Sequence, residues 1–313
     1  MSEPRRIILD CDPGHDDAVA IMLALGDPRI ELLGITTVGG NQTVEKITRN
    51  AGSVLVMCGR EDVPVHAGAH RPLLREVEVA ADIHGESGLD GVDLPEPTVP
   101  PAPGHAVQFL IDTVMGAEPG SITLVATGPL TNLALAARLE PRIVERVREV
   151  VVMGGACHGG NWTAAAEFNI WVDPEAARIV VDESWPVTMI GLDLTHQALA
   201  TAEVETAVRE IGSDLGEFFL GLMAFFRQTY RDHQGFEDPP VHDACTIAYL
   251  IDPAVVATQA VPVRVETAGE LTAGMTVADF RSPASPDCRT RVGVALDRER
   301  FWQLAVDAIR KLS

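Results

Sequence analysis

ILDCDPGHDDAVAIML, residues 8–23, passes from a strand pattern to a helix pattern across a single turn. Its opening apolar run ends in the letters DCD, Pro13 and Gly14 turn the chain, and apolar residues at helical spacing follow. Strands that alternate with helices indicate βαβ units and a parallel sheet, in which ligands bind beyond the carboxyl ends of the strands. The segment therefore predicts the first unit of an α/β fold, with four acidic side chains at its ligand-binding edge: Asp10, Asp12, Asp16 and Asp17.

The same alternation continues through the first two-thirds of the chain. Short β-branched runs predict strands at residues 6–10, 30–38, 121–126, 147–153 and 187–190. Helical patterns between them predict helices at residues 16–26, 43–58, 130–139 and 174–182. The fold class predicted is α/β, with residues 1–313 as a single large domain around a mostly parallel, Rossmann-like central sheet flanked by helices.

Other parts of the chain depart from this alternation. Residues 71–104 are rich in Gly and Pro and contain IHGESGLDG, and long loops of this kind often serve as lids or binding loops. Residues 202–231 form a long helical region. Strand patterns at residues 261–267 and 291–296, before a closing helix at 298–312, predict a small C-terminal strand region.

The charge balance is strongly acidic, with 45 Asp plus Glu against 24 Lys plus Arg and a formal net charge of -21. Nucleic acids and anionic membrane surfaces are bound through clustered Lys and Arg, so both are disfavoured as partners. The longest apolar run, residues 18–25, is far shorter than the roughly 20 residues of a transmembrane helix. We therefore expect a soluble protein.

The cysteines are odd in number and widely spaced, and no two form a CxxC pair: Cys11, Cys58, Cys157, Cys245 and Cys288. This arrangement indicates neither a disulfide framework nor a zinc site. The apolar run that follows the N-terminal arginines is too short for a signal-peptide core. We therefore expect reduced thiols and a cytoplasmic location.

Four acidic side chains on one loop repel one another strongly in partly dry surroundings unless a cation neutralises them. Oxygen ligands without thiols or an HExxH pattern favour a hard divalent cation, Ca²⁺ or Mg²⁺. A solvated acidic turn, with Asp16 as a helix cap, is the simpler alternative. An EF-hand is excluded because Ile21 stands where a loop counted from Asp10 needs a bidentate Glu.

An aspartate-nucleophile phosphatase of the haloacid dehalogenase type is another alternative, because its first strand also ends in DxD. In this chain the letters PGH replace the Gly-Thr that follows DxD in that family. No convincing partner lysine motif accompanies the aspartates, so we favour a metal site.

Further polar residues follow other predicted strands, lie in a loop of small residues, or precede a helix. They are Asn41, Thr127, Asn161, Glu167, Asn169, His242 and Asp243. Polar side chains such as those of the loop suit neutral hydroxyl groups. Taken singly, Asp243 also fits a helix N-cap and His242 a structural histidine.

Together the segments resemble the inosine-uridine-preferring nucleoside hydrolases over nearly the whole chain. The matching segments, in order, are DCDPGHDDAVA, TTVGGNQT, IHGESG, ATGPLTNLALAARLEPRIV, VVMGG, AEFNIWVDPEAA, GLDLTHQAL, VHDAC and GMTVADFR. The resemblance implies hydrolysis of the N-glycosidic bond of ribonucleosides to ribose and free base. It also implies a homotetramer, or a dimer, and one calcium ion per subunit.

Individual roles are carried over from the same resemblance. Asp12, Asp17, the Thr127 carbonyl and Asp243 are implied as calcium ligands, with Asp10 supporting them. The sugar-binding residues implied are Asp16 and Asn169 at the 2′ and 3′ hydroxyls, Asn41 beside them, Asn161 and Glu167 at the 5′ hydroxyl, and Met153 and Phe168 as apolar wall. His242 is placed near the base, with His84 and Tyr230 on mobile segments that close over it.

The chemistry needs these residue types because the bond breaks through an oxocarbenium-like sugar cation. Asp12 is the proposed general base for the attacking water, and Asp16 and Asp243 stabilise the positive charge with it. His242, with an ordinary pKa near ~6.5, is the hypothesised acid for the leaving base. No cluster of Lys or Arg accompanies the site segments, so nucleosides are favoured over nucleotides.

Two questions stay open at this point. Residues 231–240, RDHQGFEDPP, depart from the inosine-uridine type and are closer to pyrimidine-preferring bacterial members, which leaves the preferred base undecided. A non-catalytic nucleoside or calcium binder on the same scaffold is the alternative of another class. The presence of both Asp12 and His242 argues against it.

Overall fold

The computed structural model describes residues 3–313. Its strands are β1 (Arg5–Cys11), β2 (Ile30–Thr37), β3 (Val65–Ala67), β4 (Ile122–Ala126), β5 (Val147–Met153), β6 (Val187–Ile190), β7 (Val256–Ala260), β8 (Val263–Val265), β9 (Thr276–Ala278) and β10 (Thr290–Leu296). The helices up to the fourth predicted strand are α1 (His15–Gly26), α2 (Val44–Met57), α3 (Ala81–His84), α4 (Ala106–Gly116), α5 (Thr131–Leu139) and α6 (Ile143–Arg146). Those that follow are α7 (Phe168–Val172), α8 (Pro174–Asp182), α9 (Leu192–Thr195), α10 (Ala202–Arg209), α11 (Asp214–Gln234), α12 (Ala244–Ile251) and α13 (Arg298–Leu312).

The main sheet has eight strands in the order β3-β2-β1-β4-β5-β6-β10-β7. Among the strands of this sheet within residues 3–313, only the β10–β7 pair is antiparallel. The order of the first six strands is that of the Rossmann fold, so the predicted α/β class with a mostly parallel sheet is confirmed. The carboxyl ends of β1, β2, β4, β5 and β6 therefore lie at one edge, where the acidic loop is found.

Apolar residues on both faces of β1 explain its place inside the sheet. Ile7 and Leu9 belong to a core formed with α1, α11, α12 and α13, and Ile8 belongs to a second core formed with α4, α5 and α8. Helices therefore cover both faces of the sheet. Within residues 3–313, no helix combines the length and apolar character that a membrane crossing requires.

Three details differ from the prediction. The helical region 202–231 is divided into α10 and α11 by Gly212, whose φ of +69° suits glycine, and by Ser213, which caps α11. The predicted strand 261–267 is the shorter β8, paired with β9 in a separate antiparallel sheet. Pro262 separates β8 from β7, a half-exposed edge strand that the hydrophobic pattern did not reveal.

Close packing of α1 against α13 generates a stability prediction. A Cβ at Gly26, the last residue of α1, would lie 2.5 Å from the Ala308 carbonyl oxygen. We expect Gly26→Ala to lower the free energy of unfolding by about 1–3 kcal/mol, because the helices must move apart. Urea denaturation followed by circular dichroism measures this change.

Gly116→Ala is the matched control. Gly116 is also the last residue of its helix, and a Cβ there would meet no atom within 4 Å. This substitution should be neutral or stabilise by up to about 1 kcal/mol. Equal effects of the two substitutions would contradict the packing argument.

Candidate active site

The turn after β1 brings Asp17 to the amino end of α1. Gly14 is the N-cap of the helix, and its N–H donates to Asp17 Oδ2 at 3.0 Å. Thr127 Oγ1, from the turn after β4, donates to Asp17 Oδ1 at 2.8 Å. Both strand ends thus hold this buried carboxylate in one orientation, and the positive end of the helix dipole favours its charge.

Three carboxylates converge on the edge of the sheet. Oxygens of Asp16, Asp17 and Asp243 lie within 4.8 Å of one another, and all three residues are buried. Asp243 precedes α12, so this cluster joins the first βα turn to a helix that begins more than two hundred residues later. The three residues offer the hard oxygen ligands that a divalent cation takes in proteins.

Asp12 is enclosed by two glycine turns. Its Oδ2 accepts from the Asn41 N–H at 2.7 Å, whereas its Oδ1 is fully buried without a hydrogen-bond partner. A Cβ at Gly128 would lie 2.7 Å from that Oδ1, and a Cβ at Gly40 would overlap Oδ2. A buried oxygen without a partner is costly, so Asp12 Oδ1 is suited to a cation or to a ligand proton.

Asp10 lies one layer deeper, inside β1. Its Oδ1 accepts from Thr36 Oγ1 at 2.5 Å and from Asn132 Nδ2 at 2.8 Å. Burial raises its pKa to about 7, although these two hydrogen bonds oppose the change. Its second oxygen, Oδ2, is buried without a partner. This placement suits the supporting position implied by the family resemblance.

Burial and mutual repulsion disfavour full ionisation of the cluster. Burial, followed by the charge of Asp17, raises the pKa of Asp12 well above its usual range and that of Asp16 to about 7. Burial raises the pKa of Asp17 to about 6, and burial with the neighbouring aspartates raises the pKa of Asp243 well above its usual range. A divalent cation among these oxygens would reverse the effect, so the donor set fits a metal.

A cavity opens above the cluster. The predicted site residues that line it are Asp16, Asn41, His84, Thr127, Met153, Asn161, Glu167, Phe168, Asn169, Tyr230, His242 and Asp243. The other three predicted residues, Asp10, Asp12 and Asp17, are buried behind these side chains. The structure therefore brings every predicted residue to one place, although they come from segments far apart in the chain.

The cavity also contains residues that the sequence did not point to. Ala80 and Ile83 come from the glycine- and proline-rich segment, Trp162 follows Asn161, and Gln234 ends α11. The Trp162 ring packs edge-on against Phe168, with ring centroids 4.9 Å apart. The NWT and HQG segments carry no spacing that would single out these two side chains.

Glu167 and Asn169 are fixed by the start of α7. Glu167 caps the helix and accepts from the N–H groups of Gly155 and Asn169, both at 2.9 Å, and of Ile170 at 3.2 Å. Burial raises its pKa to about 7. Asn169 Nδ2 donates to the Thr127 carbonyl at 2.9 Å, which leaves Asn169 Oδ1 to accept from a ligand.

Both ring nitrogens of His242 are engaged by hydroxyl groups. Thr195 Oγ1 lies 2.7 Å from Nδ1, and the Tyr230 hydroxyl lies 2.7 Å from Nε2. Burial lowers the pKa of His242 well below its usual range, unlike the ordinary value expected from sequence, because the ring is fully enclosed. Tyr230 itself lies on the buried face of α11. Thr195 was missed, although it stands in the GLDLTHQAL segment.

His84 is the last residue of α3 and is buried beside the first turn of the chain. A Cβ at Gly14 would lie 2.5 Å from its Nδ1, so this glycine permits the close approach. The His84 Nδ1 also lies 3.1 Å from Nδ1 of His15, another residue that the sequence did not indicate. Burial lowers the pKa of His15 to about 4 and that of His84 well below its usual range.

Comparison with known proteins agrees with this site. The family model described as inosine-uridine preferring nucleoside hydrolase matches residues 7–303. The inosine-uridine preferring nucleoside hydrolase of Crithidia fasciculata is 54% identical over 310 residues, which cover 99% of this chain and 98% of that protein. A pyrimidine-specific ribonucleoside hydrolase of Escherichia coli is 45% identical, with 98% of each chain covered.

Solved structures give the same result. The purine-preferring ribonucleoside hydrolase of Gardnerella vaginalis superimposes with a TM-score of 0.92 at 34% identity, and 98% of each chain is covered. Fold and sequence thus agree over nearly the full length. The chain belongs to the inosine-uridine preferring nucleoside hydrolase family.

Proposed function

We propose that this protein hydrolyses the N-glycosidic bond of purine and pyrimidine ribonucleosides, releasing ribose and the free base. The observation that carries the proposal is the buried aspartate cluster beneath a cavity lined by polar and aromatic side chains, in a chain of this family. The acidic lining repels phosphate groups, so nucleosides are preferred to nucleotides. The family membership leaves no support for the phosphatase alternative.

Calcium is the cation that we propose for the cluster, one ion per subunit. Asp12, Asp17, the Thr127 carbonyl and Asp243 would hold it, because their oxygens are hard ligands and Asp12 Oδ1 has no other partner. When bound, the ion supplies positive charge that acidifies a water and keeps these carboxylates ionised. Asp10 supports the site through Thr36 and Asn132.

Asp12 acts as the general base in this scheme. The water oxygen forms a bond to the anomeric carbon, the bond from that carbon to the base nitrogen breaks, and Asp12 takes the water proton. Asp16 lines the cavity and Asn169 offers a free Oδ1, so both are placed to accept from sugar hydroxyls. The acidic floor also favours the positive charge that develops on the sugar.

Sugar contacts beyond the cluster follow the family pattern. Asn41 lies beside the acidic floor, and Met153 and Phe168 supply apolar wall. Asn161 and Glu167 are assigned to the 5′ hydroxyl. Asn161 Oδ1 already accepts from the Phe168 N–H at 3.0 Å, so its amide nitrogen is the group left to donate.

Protonation of the leaving base is assigned to a hydrogen-bonded chain. Tyr230 and His242 both line the cavity, and the Tyr230 hydroxyl already occupies His242 Nε2, so we assign the tyrosine hydroxyl as the last donor before the base. The bond from the anomeric carbon to the base breaks with its electron pair on the base, and a base nitrogen takes the Tyr230 hydroxyl proton. The hydrogen bond from His242 Nε2–H stabilises the tyrosinate that remains, and solvent water returns a proton to it after the base has left. Thr195 Oγ1 holds the His242 ring through Nδ1. In this scheme the neutral His242 acts through Tyr230, whereas the sequence analysis proposed it as the direct acid.

The proposal also covers the cellular location, the domain organisation and the number of subunits of the protein. The described cysteines are all free thiols, which fits a reducing cytoplasm. We also propose one domain over residues 1–313 and a homotetramer or dimer, as the family resemblance implies. Mass photometry across a dilution series tests the subunit count.

The first prediction concerns Asp12 as the general base. Asp12→Asn should lower kcat by about 10²–10⁴ because the water loses its proton acceptor. A reducing-sugar assay on inosine, uridine, cytidine and adenosine measures the loss and the base preference together. Asp112→Asn, an exposed aspartate of α4, is the control and should leave turnover unchanged. Wild-type protein that releases no ribose from any of the four would identify a non-catalytic binder.

The second prediction concerns the cation. Isothermal calorimetry should show one calcium ion per chain, and calcium at 100 times its Kd should stabilise the fold by about 2.7 kcal/mol. Asp243→Asn removes a ligand and should weaken binding most, whereas Asp10→Asn should weaken it about 10- to 100-fold. Asp112→Asn should bind as wild type does. Unchanged affinity in Asp243→Asn would rule out this ligand set.

The third prediction separates proton delivery from water activation. His242→Ala and Tyr230→Phe should each lower inosine hydrolysis by about 10²–10⁴. Both variants should retain activity on a nitrophenyl riboside, whose leaving group needs no proton. Initial rates on the two substrates provide the measurement. Equal losses on both would refute the assignment.

A further inference from the structure

A second imidazole lies directly behind His84. His15 is the first residue of α1, and its side chain is fully enclosed. Its ring stacks on Phe225 and Phe226, with centroid distances of 5.2 and 5.0 Å and interplanar angles of 7°. Its Nδ1 lies 3.1 Å from His84 Nδ1, and its Nε2 lies 2.9 Å from the Asp90 carbonyl oxygen. Each ring nitrogen of His15 therefore faces one defined partner.

The Asp90 carbonyl decides the tautomer of His15. A carbonyl oxygen only accepts, so the Nε2 atom that faces it must carry a proton. Enclosure among aromatic rings disfavours a charged imidazole, so a neutral His15 has no proton on Nδ1. The proton between the two Nδ1 atoms therefore belongs to His84.

The competing arrangement is less favourable. The His15 backbone N–H lies 3.3 Å from His84 Nδ1 and would bond to it if that nitrogen were unprotonated. Two nitrogen lone pairs would then face each other across 3.1 Å. When His84 Nδ1 is protonated, the 3.3 Å hydrogen bond from the His15 backbone N–H is lost, and the 3.1 Å hydrogen bond from His84 Nδ1 to His15 Nδ1 is gained.

The remaining nitrogen of His84 is open to the cavity. Within residues 3–313, the hydrogen bonds of the His84 ring involve only Nδ1. His84 lines the cavity, and its Nε2 atom is not fully enclosed. With the proton on Nδ1, Nε2 presents a lone pair to any ligand there.

We propose that His15 is a positioning residue that holds His84 in the Nδ1–H tautomer, so that His84 Nε2 accepts a hydrogen bond from the substrate. The identity of the ligand, a nucleoside with an N–H or O–H donor, rests on the proposed function. His84 then binds the nucleoside, and protonation of the leaving base is left to Tyr230 and His242. A carbonyl oxygen of the backbone thereby sets a recognition property of the cavity.

The first test reads the tautomer directly and needs no activity. Long-range ¹H–¹⁵N NMR distinguishes protonated from unprotonated imidazole nitrogens, and the His84 signals are those lost in His84→Phe. Wild-type protein should show His84 protonated at Nδ1 and unprotonated at Nε2. A protonated Nε2 in the wild type would overturn the proposal, whatever the variants do.

Two variants of His15 test the cause. His15→Leu removes the acceptor, so His84 should change to the Nε2–H tautomer and accept from the residue 15 backbone N–H. His15→Asn places Oδ1 where His15 has Nδ1, and the wild-type tautomer should return. An unchanged His84 tautomer in His15→Leu would show that His15 does not set it.

The second test measures substrate binding. His15→Leu should raise the KM for uridine about three- to tenfold with little change in kcat, the loss expected for one hydrogen bond. His15→Asn should restore the KM. An unchanged KM in His15→Leu would overturn the binding role. A wild-type protein that hydrolyses no nucleoside would refute the proposed function and leave the NMR result intact.

Substrate analogues identify the donor. 3-Methyluridine lacks the N–H of the base, whereas 2′-deoxyuridine and 5′-deoxyuridine each lack one sugar hydroxyl. The rise in KM caused by His15→Leu should disappear for the analogue that lacks the group bound by His84. A rise that persists with all three would show that His84 does not accept from these groups.

Discussion

The repulsion among buried carboxylates at one edge of the sheet is the constraint on which this site depends. Asp12, Asp16 and Asp17 come from the turn between β1 and α1, and the fold brings Asp243 to them from the start of α12; all four are buried. Backbone and hydroxyl donors satisfy some of their oxygens, but Asp12 Oδ1 is left without a partner. Such an arrangement is stable only with positive charge or protons among its oxygens.

The same constraint gives the cavity two different sides. Its acidic floor favours a cation and a sugar that becomes positive, and it disfavours a phosphate group. Above it, Phe168, Trp162, Tyr230 and the enclosed histidines form a neutral, partly aromatic wall. A ribonucleoside has matching halves, because its sugar carries the hydroxyls and the developing charge while its base is flat and neutral. In the proposed mechanism this geometry sets both the orientation of the substrate and the place where each proton moves.

Sequence predicted the parts of this site that local rules control. The DxDPGxDD turn and the ends of β2 and β4 follow from strand ends and a helix start, and a parallel sheet brings strand ends together. Contacts that form only on folding were not predictable. Thr195 meets His242 across forty-seven residues and His15 meets His84 across sixty-nine, and neither pair has a spacing signature. The lowered pKa of His242 was missed for the same reason, because burial is a property of the packed structure.

His84 and His242 in the cavity wall and His15 behind His84 are neutral because they are enclosed. A charged imidazole would be repelled by a bound cation and by the oxocarbenium-like sugar, so a neutral ring is the form compatible with both. Burial lowers the pKa of His15, His84 and His242 accordingly. Once charge is removed, the position of a single proton decides what each ring does. The Asp90 carbonyl, which only accepts, determines that position for His15, whereas both nitrogens of His242 face hydroxyls that can donate or accept. In the arrangement that we propose, tautomer rather than charge therefore assigns His84 to binding and leaves proton transfer to Tyr230 and His242.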